Sequence, residues 1–143
     1  MPRLMWTLTR SDASFLVEHS TSMAEEMGVA VTVAVVDAGG TTVAVLRMDD
    51  AKLASVHVAE GKAWTAAFFQ RPSGDYGPTT APGGVGYGLQ NAFAGRMTPL
   101  IGGQPIFVGG VCIGGIGISG ATGEQDDAIA QAAVATMAKR VTA

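Results

Sequence analysis

Scarcity rules out several classes of protein before any motif is considered. The chain holds one cysteine, Cys112, and two histidines, His19 and His57, too few for a zinc site built from clustered Cys and His. No metal site is therefore expected. A single cysteine also excludes an internal disulfide framework and suits a reducing cytoplasm. There is no basic excess: the formal net charge is −3, which leaves no electrostatic footprint for nucleic acid. No apolar run approaches the ~20 residues of a membrane span. The apolar part of the N-terminal MPRLMWTLTRSD is too short for a signal peptide. Charge of either sign is sparse, at 15% of residues against 48% hydrophobic, so some surface is expected to be covered by copies of the same chain. At 143 residues, one domain spanning 1–143 is expected, with a real core.

What is present reads as helices and short strands. Thr9, with Asp12 three residues on, starts a helix. Ala13, Leu16, Val17, Met23, Ala24 and Met27 follow at helical spacing, and Gly28 stops it. His19 lies on this helix as a surface or boundary residue. Val29 to Val36 alternates, with Val29, Val31, Val33 and Val35 on one face and Ala30, Thr32 and Ala34 on the other. Asp37-Ala38-Gly39-Gly40 turns the chain into a second strand over Thr41 to Met48. Arg47 is expected to snorkel at the sheet edge.

Residues 51–69 form the second helix. Val56, Ala59, Ala63, Ala66 and Ala67 make a small-residue stripe suited to lying on a sheet. A neighbouring stripe carries His57, Gly61, Trp64 and Phe68 at spacings of four, three and four. Glycine inside a helix costs ~1 kcal/mol against alanine, so Gly61 marks a close approach. Either His57 and Trp64 wall a ligand notch floored by Gly61, or Gly61 simply admits a neighbouring element. Lys62 sits in the apolar run KAWTAAFF and is expected at the surface; buried, it would be a candidate base or amine nucleophile. Residues 71–95 are a long Gly- and Pro-rich connection with one short helical turn near Tyr87 to Phe93. Tyr76, Thr79, Thr80, Tyr87 and Asn91 supply polar groups that could line a pocket. Short strands are expected over Arg96 to Leu100 and Pro105 to Val108, with Pro105 favouring an edge.

Gly115-Ile116-Gly117-Ile118-Ser119-Gly120 matches the G-x-G-x-x-G dinucleotide fingerprint. The motif sits late in the sequence, so no second parallel strand is expected after its helix; no acidic ribose reader lies ~20 residues on, and the glycines fall inside the strand. The structural reading wins. Val111 and Ile113 are assigned to one face and Ile116 and Ile118 to the other, with Gly114-Gly115 at the change of side, consistent with a bulge or with burial on both faces. Thr122 with Gln125 is a capping box. Glu124, Asp126 and Asp127 answer the helix dipole without a metal. Helix, hairpin, helix, long loop, strands and helix together indicate an antiparallel α+β domain.

VAVVDAGG (33–40), LRMDDA (46–51), the helix with Ala59, Lys62, Ala63 and Thr65, GGQP (102–105) and IGGIGISGATGEQDDAIAQAA (113–133) resemble the GlcG/HbpS family, the haem-degrading or DUF336 domain. The resemblance runs from about Thr9 to the C-terminus. It implies a profilin-like α+β fold, an antiparallel sheet of about five strands with helices packed on it. It also implies homo-oligomers built from dimers, octamers among them. For function it implies a small-molecule-binding protein, with haem or another tetrapyrrole as the named ligand. His57 would be the axial ligand, and Trp64, Phe68, Tyr76, Tyr87 and Phe93 would line the site. The alternative is a cofactor-free isomerase, cyclase or hydrolase acting on a pathway intermediate. There His57 or Glu60 would be the base, and Lys62 or Arg96 would hold a carboxylate or enolate.

Overall fold

A computed structural model describes residues 1–142. The elements run α1 (Arg10–Met27), β1 (Thr32–Asp37), β2 (Thr42–Arg47), α2 (Ser55–Phe69), the short α3 (Gly77–Thr80), β3 (Gly103–Val108), β4 (Val111–Ser119) and α4 (Gly123–Thr142). The four strands form one antiparallel sheet in the order β2-β1-β4-β3. Pro105, which has no N–H to give a neighbour, accordingly sits on the edge strand β3.

Local chemistry sets the helix ends. The Thr9 hydroxyl accepts the Asp12 N–H, and the Asp12 carboxylate accepts the Thr9 N–H at 2.8 Å. Such a cap contributes about 1 kcal/mol. Gly28 closes α1 in the left-handed region at φ 71. At α4, Thr122 and Gln125 exchange the same pair of bonds.

Alternation along β1 divides the interior. Val31, Val33 and Val35 face α1 and α4 in the main core, together with Leu16, Ile116, Ile118, Ile129 and Met137. Burying each of the large aliphatic side chains contributes about 1.5–3 kcal/mol. Ala34 and Val36 face the other way, onto Ala59, Ala63 and Ala67 of α2. The small-residue stripe thus lets α2 lie close on the sheet.

β4 explains the glycines and corrects the assignment of its isoleucines. Ile113, Ile116 and Ile118 all belong to the main core. In the β3–β4 ladder, Ile106 pairs with Gly114 and Phe107 with Cys112, so Ile113 is the extra residue of a bulge. The bulge keeps Ile113 on the isoleucine face where strict alternation would turn it away. Gly115 and Gly117 are left facing α2. A Cβ on Gly117 would run into the Ala59 carbonyl, and one on Gly115 would lie 2.6 Å from the Ala63 carbonyl. The fingerprint-like glycines are therefore the seat of α2.

The sheet has four strands where about five were expected. Residues 96–100 are not a strand. The Thr98 N–H is taken by the Thr65 hydroxyl of α2 at 2.8 Å, and Pro99 has no N–H to offer a ladder. The 71–95 connection is better ordered than a loop. It holds a helical turn at Ser73–Tyr76, then α3, then a second turn at Leu89–Phe93. Ser73 pins it to the start of β3 by accepting the Gly103 N–H and donating to the Leu100 carbonyl. Among the described residues no helix is long and apolar enough to cross a membrane.

Candidate functional site

One face of α2 is not covered by the sheet. Between it, the β1–β2 turn and the segment at Gly95–Arg96 lies a cavity of ≈ 550 Å³. Its walls are Val36, Gly39, Gly40, Thr41, Thr42, His57, Glu60, Gly61, Trp64, Gly95 and Arg96. The spacing that placed His57, Gly61 and Trp64 on one stripe thus describes a real groove. Gly61 meets two surroundings at once. It lines the cavity, and it admits Thr98, whose side chain a Cβ would strike.

Each wall has a local cause. The β1–β2 turn is organised by Asp37, whose side-chain carboxylate accepts the N–H groups of Gly39 (2.9 Å) and Thr41 (3.0 Å). Gly40 follows at φ 82 and fits against the Trp64 indole, whose Cδ1 would be 2.9 Å from any Cβ there. Behind Trp64 the rings continue. Phe68 stacks on it at 4.5 Å between centroids, Phe93 lies 5.4 Å away, and Phe69 joins Phe93 to Tyr76. These contacts fix the indole and tie the 71–95 segment to α2. Arg96 is set on the rim by the bond from Thr98 to Thr65 two residues on.

Of the residues singled out from sequence, His57, Glu60, Trp64 and Arg96 line the one cavity. Phe68, Tyr76 and Phe93 belong to the ring cluster adjoining it. Tyr87 is exposed and outside that cluster. Lys62 is not at the surface, and it is not in the groove. It is 3% exposed, with its ammonium 3.1 Å from the Asp126 carboxylate and 2.8 Å from the Ile118 carbonyl. One helical step of about 100° from Gly61 turns it toward the end of β4 and the start of α4. Asp126 is completed by the Ala121 N–H at 3.0 Å. Every strong partner of Lys62 is thus inside the fold, and the ion pair is a tether between α2 and α4.

Sequence reasoning did not anticipate the wall formed by Gly39–Thr42. The D-A-G-G turn was visible, but only the pairing of β1 with β2 brings it over α2. Nor did it anticipate Thr65, whose hydroxyl holds the 96–98 segment in place.

The groove's polar side chains differ from Lys62 in one respect. The side chains of His57, Glu60 and Arg96 make no hydrogen bond or ion pair to any described residue. A base, an acid and a cation share one cavity without neutralising each other. The groove thus presents polar side chains that have no protein partner among the described residues.

A four-stranded antiparallel sheet with helices on both faces and a groove beside α2 define an α+β architecture. The sequence model described as "Haem degrading protein HbpS-like" matches residues 8–135, and the chain belongs to that family. Among curated relatives, the corrinoid adenosyltransferase PduO of Salmonella typhimurium (strain LT2) is 37% identical over 130 residues, 91% of this chain and 39% of PduO. The chain therefore spans about two-fifths of that enzyme. Protein GlcG of Escherichia coli (strain K12) is 35% identical over 112 residues, 78% of this chain and 81% of GlcG. Among solved structures, Klebsiella pneumoniae ORFY of the DUF336 family superposes with a TM-score of 0.92 at 33% identity, covering 95% of this chain and 94% of ORFY. A PduOC:haem complex superposes at 0.85 with 37% identity, covering 90% and 94%.

Proposed function

We propose that this protein binds a small molecule in the groove beside α2, and that the ligand is haem or another tetrapyrrole. The observation that carries the binding site is the convergence of unpartnered His57, Glu60 and Arg96 on a cavity walled by Trp64. The ligand class is supported by the family's haem-degrading description and by the haem complex of PduOC. The residues present fit such a group. The His57 imidazole is exposed and uncommitted, as an axial ligand must be. Trp64, backed by Phe68, offers an aromatic surface to a flat macrocycle. Bound iron would supply redox or oxygen chemistry, while the chain supplies orientation and shelter from water. Hemin titrated into the purified protein is expected to give a shifted Soret band, and His57→Ala to abolish that shift. A spectrum unmoved by the protein would remove haem from the proposal, and an unaltered shift in His57→Ala would remove His57 as the ligand.

A second reading is favoured by the same convergence. As a cofactor-free isomerase, cyclase or hydrolase, the protein would use Glu60 or His57 as general base and Arg96 to hold a carboxylate or enolate. Lys62, committed to Asp126, has no part in it.

The same proposal includes homo-oligomers built on dimers in the cytoplasm. The sparse charge and the exposed Leu53, Phe68, Leu100 and Ile101 support self-association. A monomer by light scattering at working concentration would contradict it.

A further inference from the structure

The buried polar side chains Ser55, Lys62 and Thr65 of α2 are satisfied within the fold, whereas the Trp64 indole N–H is not. Lys62 meets Asp126, Ser55 meets Thr32 and Lys52, and Thr65 both donates to the Gly61 carbonyl and accepts from Thr98. Trp64 is only 8% exposed, yet its indole N–H has no acceptor among the described residues. The buried side-chain atoms left without a partner among the described residues are His19 Nδ1 and Ser20 Oγ, so the indole N–H reaches solvent and is open to an incoming acceptor.

The position of that donor shows what it faces. A Cβ built on Gly40 would lie 3.0 Å from the indole Nε1. The N–H edge therefore lies beside Gly40, and both residues line the groove. The absence of a side chain at Gly40 keeps this edge open. On the same groove stands Arg96, with five N–H donors and no acceptor among the described residues. The backbone of the Gly39–Thr41 turn contributes no further donors. The N–H groups of Gly39, Gly40 and Thr41 are all taken by Asp37.

We infer that the Trp64 indole N–H and the Arg96 guanidinium form a carboxylate-binding subsite within the groove. This rests on the groove being the ligand site. One neutral donor and one cation match the two oxygens and single charge of a carboxylate. A phosphate would call for the backbone N–H groups that Asp37 occupies, and Glu60 in the same cavity disfavours a second negative charge. The carboxylate could belong to a haem propionate or to a free small acid.

The test compares hemin with hemin dimethyl ester, whose propionates are blocked, and in parallel measures the protein's melting temperature with lactate or inorganic phosphate. Wild type, Arg96→Gln and Trp64→Phe are used, each checked for folding by circular dichroism. Arg96 is exposed, so its variant is expected to fold. If the source is a propionate, wild type binds hemin about tenfold or more tighter than the ester, and in both variants the affinities for the two forms converge. If the source is a free acid, lactate raises the wild-type melting temperature more than phosphate does, and neither variant responds. Equal binding of acid and ester together with no variant-sensitive lactate effect overturns the subsite. So does phosphate protecting as well as lactate. A failure of both hemin forms to bind removes haem from the proposed function and leaves the lactate comparison to decide the subsite.

Discussion

Asp126→Ala is expected to cost about 3–5 kcal/mol of folding stability, the range for breaking a buried ion pair by removing one partner. The loss is large because Lys62 would remain buried, with only the Ile118 carbonyl at 2.8 Å to replace a carboxylate at 3.1 Å. Domains of this size have total stabilities of only about 5–15 kcal/mol. The double variant Lys62→Met/Asp126→Leu is expected to recover most of the loss, since an apolar pair of similar volume avoids the desolvation penalty that the ion pair carries. Urea denaturation of the three proteins measures this directly. The double variant should also bind hemin like wild type, because neither residue lines the groove. A small stability change in Asp126→Ala would contradict the tether, and lost binding by a folded double variant would return Lys62 to the site.

Gly117→Ala is the second large effect. The added methyl would strike the Ala59 carbonyl and lie 2.6 Å from the Ala63 nitrogen, both backbone atoms of α2 that cannot rotate aside. α2 must lift from β4, at or above the top of the ~1–3 kcal/mol range for overpacking. Gly28→Ala is the comparison. There φ is 71 and nothing lies within 4 Å, so only the left-handed backbone penalty of about 1–2 kcal/mol applies. Thermal unfolding should separate the two variants clearly. Because α2 carries His57, Glu60 and Trp64, Gly117→Ala should also weaken ligand binding in whatever fraction stays folded. Equal melting temperatures for the two variants would mean that the glycine face of β4 is not the seat of α2.

These effects mark where the sequence could be read and where it could not. Local signals translated well. The Thr9 and Thr122 capping boxes, the alternation of β1, the small-residue stripe of α2 and the His57–Gly61–Trp64 spacing are all set by residues a few positions apart. Lys62 failed as a surface residue because its counter-charge lies 64 residues away and α2 is buried around most of its circumference. The isoleucines of β4 were assigned to two faces because a bulge depends on the partner strand. Residues 96–100 have the composition of a strand, but Thr65 takes the N–H that a ladder would need. Arg96 was singled out for its chemistry, yet only the tertiary fold brings it into the same groove as Glu60 without an ion pair between them.

The location of the ligand tests the proposed function most directly. Crystals grown with hemin allow an anomalous difference map at the iron edge. The expected peak lies in the groove beside α2, within coordination reach of the His57 imidazole and against the Trp64 wall. An iron peak elsewhere on the protein, with the groove empty, would contradict the assignment of this cavity as the binding site.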